Sequence, residues 1–444
     1  IWLTTPRLYL KKEHLLLMAE HSRHLSVHCF LDNIMKSFKR HLAEAKNTHM
    51  THLEDMVIDG GVNGTRAAIN ALRDLRNMLA GHTNDTKAVT VKWDGAPAVF
   101  AGIDPTDGEF FVAKKGIFNK EPKVYKSHSD IDADTSGDLS DKLKVAYTEL
   151  KKIGIKKGVY QGDIMFTKND LKNETIDGQK YVTFHPNTIV YAVPVEDAKE
   201  ITTAKIGVVW HTKYTGSSFE TMNASFGVKT SEFKSTSSVW SKSADLPEVP
   251  NATLTKKETD AITKHLSLAG KLFNKISSGV LKDVSTNKEI NLYINTFRNT
   301  KVRAQSEIKN TKTHVKELVQ WIHNRYDKEI DKLKSDKGKA KKNAKKIEAL
   351  DWFNNENTKN LVLMFDMQNH LVDAKRELMR HLNKIDDINT FVKTKDGYKV
   401  TGAEGYVAID HLTNGAVKIV DRMEFSFNNF SKDIVKGWES DGRG

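Results

Sequence analysis

Residues 89–100 read Val-Thr-Val-Lys-Trp-Asp-Gly-Ala-Pro-Ala-Val-Phe, and the rest of the chain is organised around this stretch. Its two ends are rich in β-forming residues, and they flank the tetrapeptide Lys92-Trp-Asp94-Gly95. The pattern predicts two strands joined by a tight turn. A lysine at such a turn contributes little to packing, but it presents an amine well to a phosphate group. Lys92 is therefore a candidate nucleophile.

The β pattern extends over residues 88–221. Residues 139–153 within it have the apolar spacing of an amphipathic helix. These segments predict an α+β domain built largely of antiparallel sheet. The further predicted strands, all rich in Val, Ile, Phe and Tyr, cover residues 98–102, 109–113, 158–165, 183–193 and 205–213.

Helical patterns precede and interrupt this domain. Residues 35–87 are predicted to form N-terminal helices, with glycines at 60–64 that either connect two helices or cradle a phosphate. A connection between two helices is the favoured interpretation, because residues 60–64 lack the Gly-Lys-Ser/Thr sequence of a P-loop. Residues 222–254 are rich in Ser, Thr and Lys and predict a linker. Residues 255–395 have helical spacing and the β pattern returns over 396–444, which indicates a large helical insertion in one β-rich domain.

The start of the chain has two interpretations. Either the true start is missing, or residues 1–34 are a leader of translated upstream sequence and Met35 is the natural start. The second interpretation is favoured, because the helical pattern that begins at Met35 is more regular than any pattern before it.

His49 and His52 have the spacing of half a metal site, but no further ligand cluster accompanies them. Exposed polar residues on a helix are the preferred interpretation of this pair.

The charge balance points to a polyanionic partner. The 444 residues include 69 Lys and Arg against 57 Asp and Glu, a net charge of +12. Residues 301–350 hold 15 basic and 7 acidic residues. This run is either the solvated tip of a helical hairpin or a surface that binds a phosphate backbone. Nucleic acid is the expected partner, with RNA preferred over DNA.

Cysteine content and hydropathy bear on the compartment. Cys29 is the only cysteine, so no disulfide can form within the chain, and a reducing, cytoplasmic setting is expected. No apolar run reaches the roughly 18 residues that a membrane-spanning helix needs, so no membrane partner is predicted.

Several short motifs occur in the order found in the covalent nucleotidyltransferases, the superfamily of ATP-dependent RNA and DNA ligases and mRNA capping enzymes. The segments that resemble that family cover about 200 residues. They are Lys92-Trp-Asp94-Gly95 (similar to motif I), Lys114-Lys115 (similar to the basic segment after it), Asp163 (motif III), Tyr191 (the aromatic strand that stacks on the base), Glu404 (motif IV) and Lys418 (motif V).

The resemblance implies both a fold and a chemistry. It implies a ligase-like domain of antiparallel sheets with helices, with ATP and Mg²⁺ (or Mn²⁺) as cofactors. Lys92 is then the residue that takes AMP from ATP. The nucleotide-binding residues implied are Asp94, Gly95, Lys114, Lys115, Asp163, Tyr191 and Lys418, with Glu404 and Asp163 at the metal.

At some positions the sequence departs from the family pattern or offers a competing assignment. Asp163 stands where the family usually has glutamate. Phe184 competes with Tyr191 as the platform for the base. The segment at 207–209, Gly-Val-Val, lies nearer to the aromatic strand than Glu404 does, but it lacks the glutamate before the glycine. Glu404 is therefore the preferred assignment for motif IV.

The resemblance predicts an ATP-dependent polynucleotide ligase. RNA ligases are the nearest class, because only 26 residues follow Lys418, too few for the further barrel of DNA ligases and capping enzymes. Two alternatives stand beside this prediction. One is a transferase that attaches a nucleotide without sealing, as in capping or AMPylation. The other is a catalytically inert nucleic-acid-binding protein on the same scaffold. The chain also resembles uncharacterised tailed-phage proteins that begin near Met-Lys-Ser-Phe, which predicts a phage-infected host cell as its location.

Overall fold

Three β-sheets and a bundle of helices form the part of the chain that the computed structural model describes. This part comprises residues 52–81, 89–245, 253–383, 389–410 and 415–437, and it belongs to one unit, Met50–Gly444. The fold is mixed α+β with mostly antiparallel sheets, which confirms the predicted class. The predictions for residues 1–34, for Met35 and for His49 fall outside the described residues. Among the helices described here, none is long and apolar enough to cross a membrane.

The secondary-structure elements are numbered along the described residues. The strands are β1 (Val89–Lys92), β2 (Ala98–Ile103), β3 (Phe110–Ala113), β4 (Val159–Thr167), β5 (Lys172–Ile176), β6 (Gln179–Phe184), β7 (Ile189–Pro194), β8 (Ile206–Thr215), β9 (Asn223–Phe226), β10 (Val239–Ser243), β11 (Asn389–Thr394), β12 (Gly397–Val400), β13 (Gly405–Asp410) and β14 (Gly415–Ile419). The helices are α1 (Asp55–Leu79), α2 (His128–Asp134), α3 (Gly137–Leu150), α4 (Lys199–Thr203), α5 (Lys256–Phe273), α6 (Ser278–Thr286), α7 (Lys288–Arg303), α8 (Thr311–Asp331), α9 (Asp336–Asp351), α10 (Asn355–Leu382) and α11 (Arg422–Phe430).

The strands pair into three sheets. The first has the order β1-β13-β14 and is antiparallel. The second has the order β10-β8-β4-β2-β3, with β9 also on β8, and only its β10–β8 pair is parallel. The third has the order β12-β11-β7-β6-β5 and is antiparallel. Strands β11–β14 follow the helical bundle in sequence, yet they belong to the first and third sheets. The chain therefore leaves the β region and returns to it.

Helix α3 covers one face of the second sheet. Its residues Leu143, Ala146 and Leu150 are buried at i, i+3 and i+7 and pack into one core with Val99 of β2 and Ile164 of β4. Burial of this apolar surface, worth about 25 cal/mol per Å², stabilises the sheet that contains β2, the strand that follows Lys92 after a short turn.

Helix α1 and helices α5–α10 share one hydrophobic core. Residues Leu361, Met364 and Leu371 on α10 are fully buried, in the same core as Leu72 of α1 and Ile262 of α5. The predicted N-terminal helix and the predicted insertion thus belong to a single bundle, because each buries its apolar face against the other.

A buried charge network joins this bundle to the end of β14. Glu54 and Lys375 are 2 % and 1 % exposed. The Lys375 amine donates to both Glu54 carboxylate oxygens, at 3.0 and 2.8 Å, and to the Val420 carbonyl at 2.7 Å. Beside it, Arg298 of α7 and Arg422 of α11 both pair with Asp55. The bundle is therefore fixed to the strand that carries Lys418.

The glycines at 60–64 lie within α1 and do not form the predicted loop. The helix kinks at Gly61, where φ is 53° and ψ is −131°. A Cβ at Gly61 would lie 2.7 Å from Ser285 Oγ and 2.8 Å from the Leu281 carbonyl oxygen of α6. The prediction that these glycines connect two helices agrees with the kink at Gly61, where two helical segments meet, but the five residues form no separate loop, because the helix continues on both sides of the kink.

Three other predicted boundaries differ from the structure. The single strand predicted over 183–193 is a hairpin of β6 and β7, with Pro186 and Asn187 in its turn. The predicted linker 222–254 contains β9 and β10, whose polar residues suit half-exposed strands at a sheet edge. The helical insertion predicted to end at 395 ends before β11, which pairs with β7. Residues 246–252 lie outside the described part.

Candidate active site around Lys92

The first sheet brings Lys92, Glu404 and Lys418 together. Lys92 on β1 lies opposite Gly405 on β13, so Glu404 directly precedes its cross-strand partner. The Lys92 amine and the Glu404 carboxylate form a salt bridge across 312 residues of sequence. Their side chains are 24 % and 8 % exposed, so this ion pair is largely shielded from solvent.

Lys418 is on the same face of this sheet as Lys92. Thr90 pairs with Val407, and Val407 pairs with Lys418. Residues directly opposite one another share a face, and so do residues two apart on one strand. Lys92 and Lys418 therefore project from one face, diagonally across the sheet.

Burial and neighbouring charges shift the pKa values of Glu404 and Lys418. Burial raises the pKa of Glu404, and Asp94 adds to the rise, while Lys92 and Lys418 act against it. Burial lowers the pKa of Lys418, and the positive charge of Lys92 lowers it further. Clusters of charged groups whose pKa values are perturbed by burial and by one another are typical of functional sites.

Asp94 has a structural role in this arrangement. Its carboxylate accepts hydrogen bonds from Asn187 Nδ2 at 2.7 Å, from the Thr188 N–H at 2.7 Å and from the Ile189 N–H at 2.9 Å. The buried side chain thereby clamps the turn after β1 to the start of β7. With these partners the Asp94 carboxylate holds the turn that follows Lys92 in place.

Gly95 lets this turn approach β4 closely. A Cβ at Gly95 would lie 2.5 Å from the Cβ of Asp163 and 2.8 Å from the Sδ of Met165. The N–H of the next residue, Ala96, donates to the Ile164 carbonyl at 3.0 Å. Gly95 therefore acts through its lack of a side chain, and it brings Asp163 beside the Lys92 segment.

The environment of Asp163 disfavours the charged form of its carboxylate. Burial raises its pKa to about 7, against an opposing effect of Lys92 and Lys115, and Asp94 adds to the rise. Its side chain is 22 % exposed. A carboxylate held in this way is a poor structural ion and a suitable ligand for a cation.

The raised pKa of Asp163 predicts a pH-dependent cost in stability. Because the folded pKa of about 7 exceeds the ordinary value of 3.8, the folded protein keeps a proton that the unfolded chain has lost between these pH values. Stability therefore falls as pH rises through this window. We expect Asp163→Asn to raise the free energy of unfolding at pH 8 by on the order of 1–3 kcal/mol, less than the full shift implies because solvent screens the charge.

Urea denaturation of wild type and Asp163→Asn at pH 4 and pH 8 measures this effect. The two proteins should differ more at pH 8 than at pH 4. An equal difference at both values would show that Asp163 does not titrate in this window.

Only one of the two predicted lysines after β3 acts on Asp163. Lys114 forms a salt bridge with Asp134 at 3.0 Å, and its amine lies 5.8 Å from the centre of the Tyr125 ring. Lys115 opens a short 3₁₀ turn and lowers the pKa of Asp163 by its charge. Lys115 is thus the better placed of the pair to meet an anion at the site.

Tyr191 and Phe184 stack on each other beneath the site. Their ring centres are 5.3 Å apart with planes 14° from parallel, and Trp93 stacks on Tyr191 at 5.1 Å. The Tyr191 hydroxyl accepts a hydrogen bond from the Asp94 N–H at 2.7 Å. Tyr191 is only 3 % exposed. Both candidate platforms for the base are therefore used to support the Lys92 turn, and neither offers an open ring face.

His211 is at the site but was not among the predicted residues. Gln161 pairs with Thr212 and Gly162 pairs with Trp210, so His211 is the extra residue of a β-bulge in β8. Its Nε2 lies 3.9 Å from the Asp163 carboxylate. Burial, then the charge of Lys92, lowers its pKa to about 4. The one sequence signal is a histidine that directly follows the apolar first half of the strand, and strand alternation does not reveal a bulge.

His52 packs against Lys418. It forms a parallel bridge with Lys418, and the N–H of Leu53 donates to the Lys418 carbonyl at 3.2 Å. The His52 and Phe425 rings lie edge to face at 6.0 Å, and the Lys418 amine lies 4.6 Å from the centre of the Phe425 ring. His52 thus packs against the strand end, is partly buried and precedes α1. Its preferred interpretation as an exposed residue on a helix is therefore wrong, because its bridge to Lys418 holds it against the first sheet.

The basic run at 301–350 contains the hairpin of α8 and α9. Lys342 and Lys346 of α9 pair with Glu329 and Asp327 of α8. Each residue of α9 is at least partly exposed. The outward lysines of α9, at 337, 339, 341 and 345, are exposed. Two lysines of α9 thus form ion pairs that link it to α8, and the other four are exposed to solvent.

Comparison with known proteins places the chain in a family. A model described as "Family of unknown function (DUF6267)" matches residues 47–434. The chain belongs to this family. The matched range includes all three sheets, the helical bundle and every candidate residue from Lys92 to Lys418. No curated protein and no solved structure matches the chain.

Proposed function

We propose that this protein is an ATP-dependent nucleotidyltransferase of the polynucleotide-ligase type, with Lys92 as its nucleophile. The observation that supports this most is the contact between Lys92 and Glu404, with Lys418 on the same sheet face. A lysine, a carboxylate and a second cation from distant parts of the chain form the minimal set that lysyl-phosphoryl chemistry needs.

In the proposed first step, Glu404 takes a proton from the Lys92 ammonium with which it is paired, which leaves a neutral amine. Its nitrogen attacks the α-phosphorus of ATP, the N–P bond forms as the nitrogen gives up a second proton to solvent, and the bond to the bridging oxygen breaks to release pyrophosphate. Glu404 is in contact with the amine, and its raised pKa suits it to accept the amine's proton. The cation of Lys418 offsets charge on the transferring phosphoryl group.

The later steps return Lys92 to its starting form. An oxygen of a 5′-phosphate end attacks the phosphorus, the N–P bond breaks, and the amine regains both protons. A 3′-hydroxyl oxygen then forms a new phosphodiester bond, and AMP leaves. Exposed lysines of α9 supply positive charge for a nucleic-acid partner.

Both carboxylates assigned to the metal interact with the charge of Lys92 and are of the chemical kind that binds divalent cations. Asp163 and Glu404 offer carboxylate oxygens, the ligands that Mg²⁺ and Mn²⁺ favour, and burial disfavours their charge when no cation is bound. A bound cation would supply charge neutralisation for the phosphates.

Covalent labelling tests the proposal. We expect wild-type protein incubated with α-labelled ATP and Mg²⁺ to retain label through denaturation and to lose it in acid, because the phosphoramidate bond is acid-labile. Label on the γ-phosphate should not transfer, since it leaves in pyrophosphate. Absence of any covalent label from ATP and GTP would leave the inert binding protein as the better hypothesis.

The same preparation separates the related activities. Labelling by GTP in place of ATP would indicate capping chemistry. Sealing of nicked RNA or nicked DNA distinguishes a ligase from a transferase that stops after nucleotide transfer, and it identifies the preferred strand.

A further inference from the structure

Two histidines and an aspartate meet between α5 and α10, far in sequence from the first sheet. His265 comes from α5, whereas His370 and Asp373 are three residues apart on one face of α10. The Nδ1 atoms of the two histidines are 3.3 Å apart, and His265 Nδ1 lies 3.5 Å from the Asp373 carboxylate. One ligand atom from each of the three residues lies within 4.8 Å of the others.

These separations match the edges of a metal coordination tetrahedron. With metal–nitrogen bonds of about 2.0–2.1 Å, two ligands of a tetrahedral ion are about 3.3–3.4 Å apart. The nitrogen–nitrogen distance of 3.3 Å equals that edge, and it is long for a hydrogen bond between two imidazoles. The nitrogen–oxygen distance of 3.5 Å is close to the same edge.

We propose that His265, His370 and Asp373 bind one transition-metal ion of the Zn²⁺ class. Two imidazoles and one carboxylate favour such an ion over Mg²⁺, which prefers oxygen ligands. Three protein ligands leave a fourth position for water. The side chains of His265 and Asp373 are 27 % and 46 % exposed, so an ion reaches the site from solvent.

The ion would staple α5 to α10, which pack against each other along the bundle core. Because α10 also carries Lys375, the staple would add to the anchoring of the bundle on the end of β14. This inference is independent of the nucleotidyltransferase proposal, since neither its residues nor its ion takes part in the chemistry at Lys92.

Metal titration of the full chain tests the site. Chelator-treated protein is titrated with Zn²⁺ against a chromophoric chelator, and with Co²⁺ while the visible spectrum is recorded. We expect His370→Ala to bind one equivalent fewer, or to bind it more than about 100-fold more weakly, because loss of a direct ligand exceeds the 10–100-fold cost of losing a supporting group. The tetrahedral Co²⁺ bands of wild type should disappear.

Two further variants make the test decisive. His323→Ala removes a histidine from α8 in the same bundle and should bind like wild type. Asp373→Asn keeps the shape of a ligand while removing its charge, and it carries the test if His370→Ala fails to fold by circular dichroism. Zn²⁺ should raise the melting temperature of wild type and of Lys92→Ala, but not of the ligand variants. Equal stoichiometry and affinity in wild type, His370→Ala and Asp373→Asn would overturn the proposal.

Discussion

Lys92→Ala should lose covalent nucleotide labelling by at least about 10⁴-fold. Removal of a covalent nucleophile costs on the order of 10⁶ in rate where it has been measured, because the remaining groups have no bond to make. The ion-pair partner Glu404 stays in place but has no amine to deprotonate. Gel autoradiography after incubation with α-labelled ATP measures the loss.

Matched variants separate the chemistry from the charge. Lys92→Arg keeps a cation beside Glu404, but guanidinium is not a nucleophile at neutral pH, so it should fold like wild type and take no label. Lys114→Ala removes a nearby lysine that is paired with Asp134 and should retain labelling. Label that persists in Lys92→Ala would exclude Lys92 as the attachment point.

Lys375→Met should lower the free energy of unfolding by about 3–5 kcal/mol. The variant leaves the buried Glu54 carboxylate with only the more distant guanidinium of Arg298, 4.0 Å away, and removal of one partner of a buried ion pair carries a cost of this size. The same change removes the hydrogen bond to the Val420 carbonyl. We expect the loss to appear as a lower urea midpoint, with α10 and the end of β14 released together.

Controls on the same helix and at the partner residue define this effect. Lys359→Met alters an exposed lysine of α10 and should change stability by less than about 0.5 kcal/mol. The double variant Glu54→Gln/Lys375→Met should recover part of the loss, because no charge stays buried. A loss below about 1 kcal/mol in Lys375→Met alone would contradict the burial of this pair.

The Glu54–Lys375 pair also makes the free energy of unfolding depend on pH in the acid range. Burial by itself would raise the pKa of Glu54, but the charges of Lys375 and Arg298 outweigh it and hold the pKa at about 2, below the ordinary value of 4.5. The contribution of Glu54 is present above about pH 4.5 and is lost as pH falls towards 2. Lys375→Met should weaken this acid dependence.

The candidate site was predictable where motifs of fixed spacing carry the chemistry. Lys92 and Gly95 lie in one tetrapeptide, and Glu404 and Lys418 each lie in a short β-rich run. The structure brings Lys92, Glu404 and Lys418 to one sheet. It also gives Asp94 and Tyr191 supporting positions that their residue types do not reveal, since both types serve equally well as ligands or as buried hydrogen-bonding groups.

The sequence by itself determined the mixed α+β class, the alternation of strand and helix patterns, and Lys92 as the residue to test. Local periodicity suffices for the class and the alternation, because side-chain spacing along a segment decides which face can be buried. Lys92 comes from the short motif Lys92-Trp-Asp94-Gly95. Only the tertiary structure decided that α1 joins the later helices and that residues 239–243 form a strand. It also decided that the β8 bulge turns His211 towards Asp163 and that two histidines of different helices meet an aspartate. Each of these depends on strand register or helix packing between distant segments, and contacts of that kind leave no periodic signal in the chain.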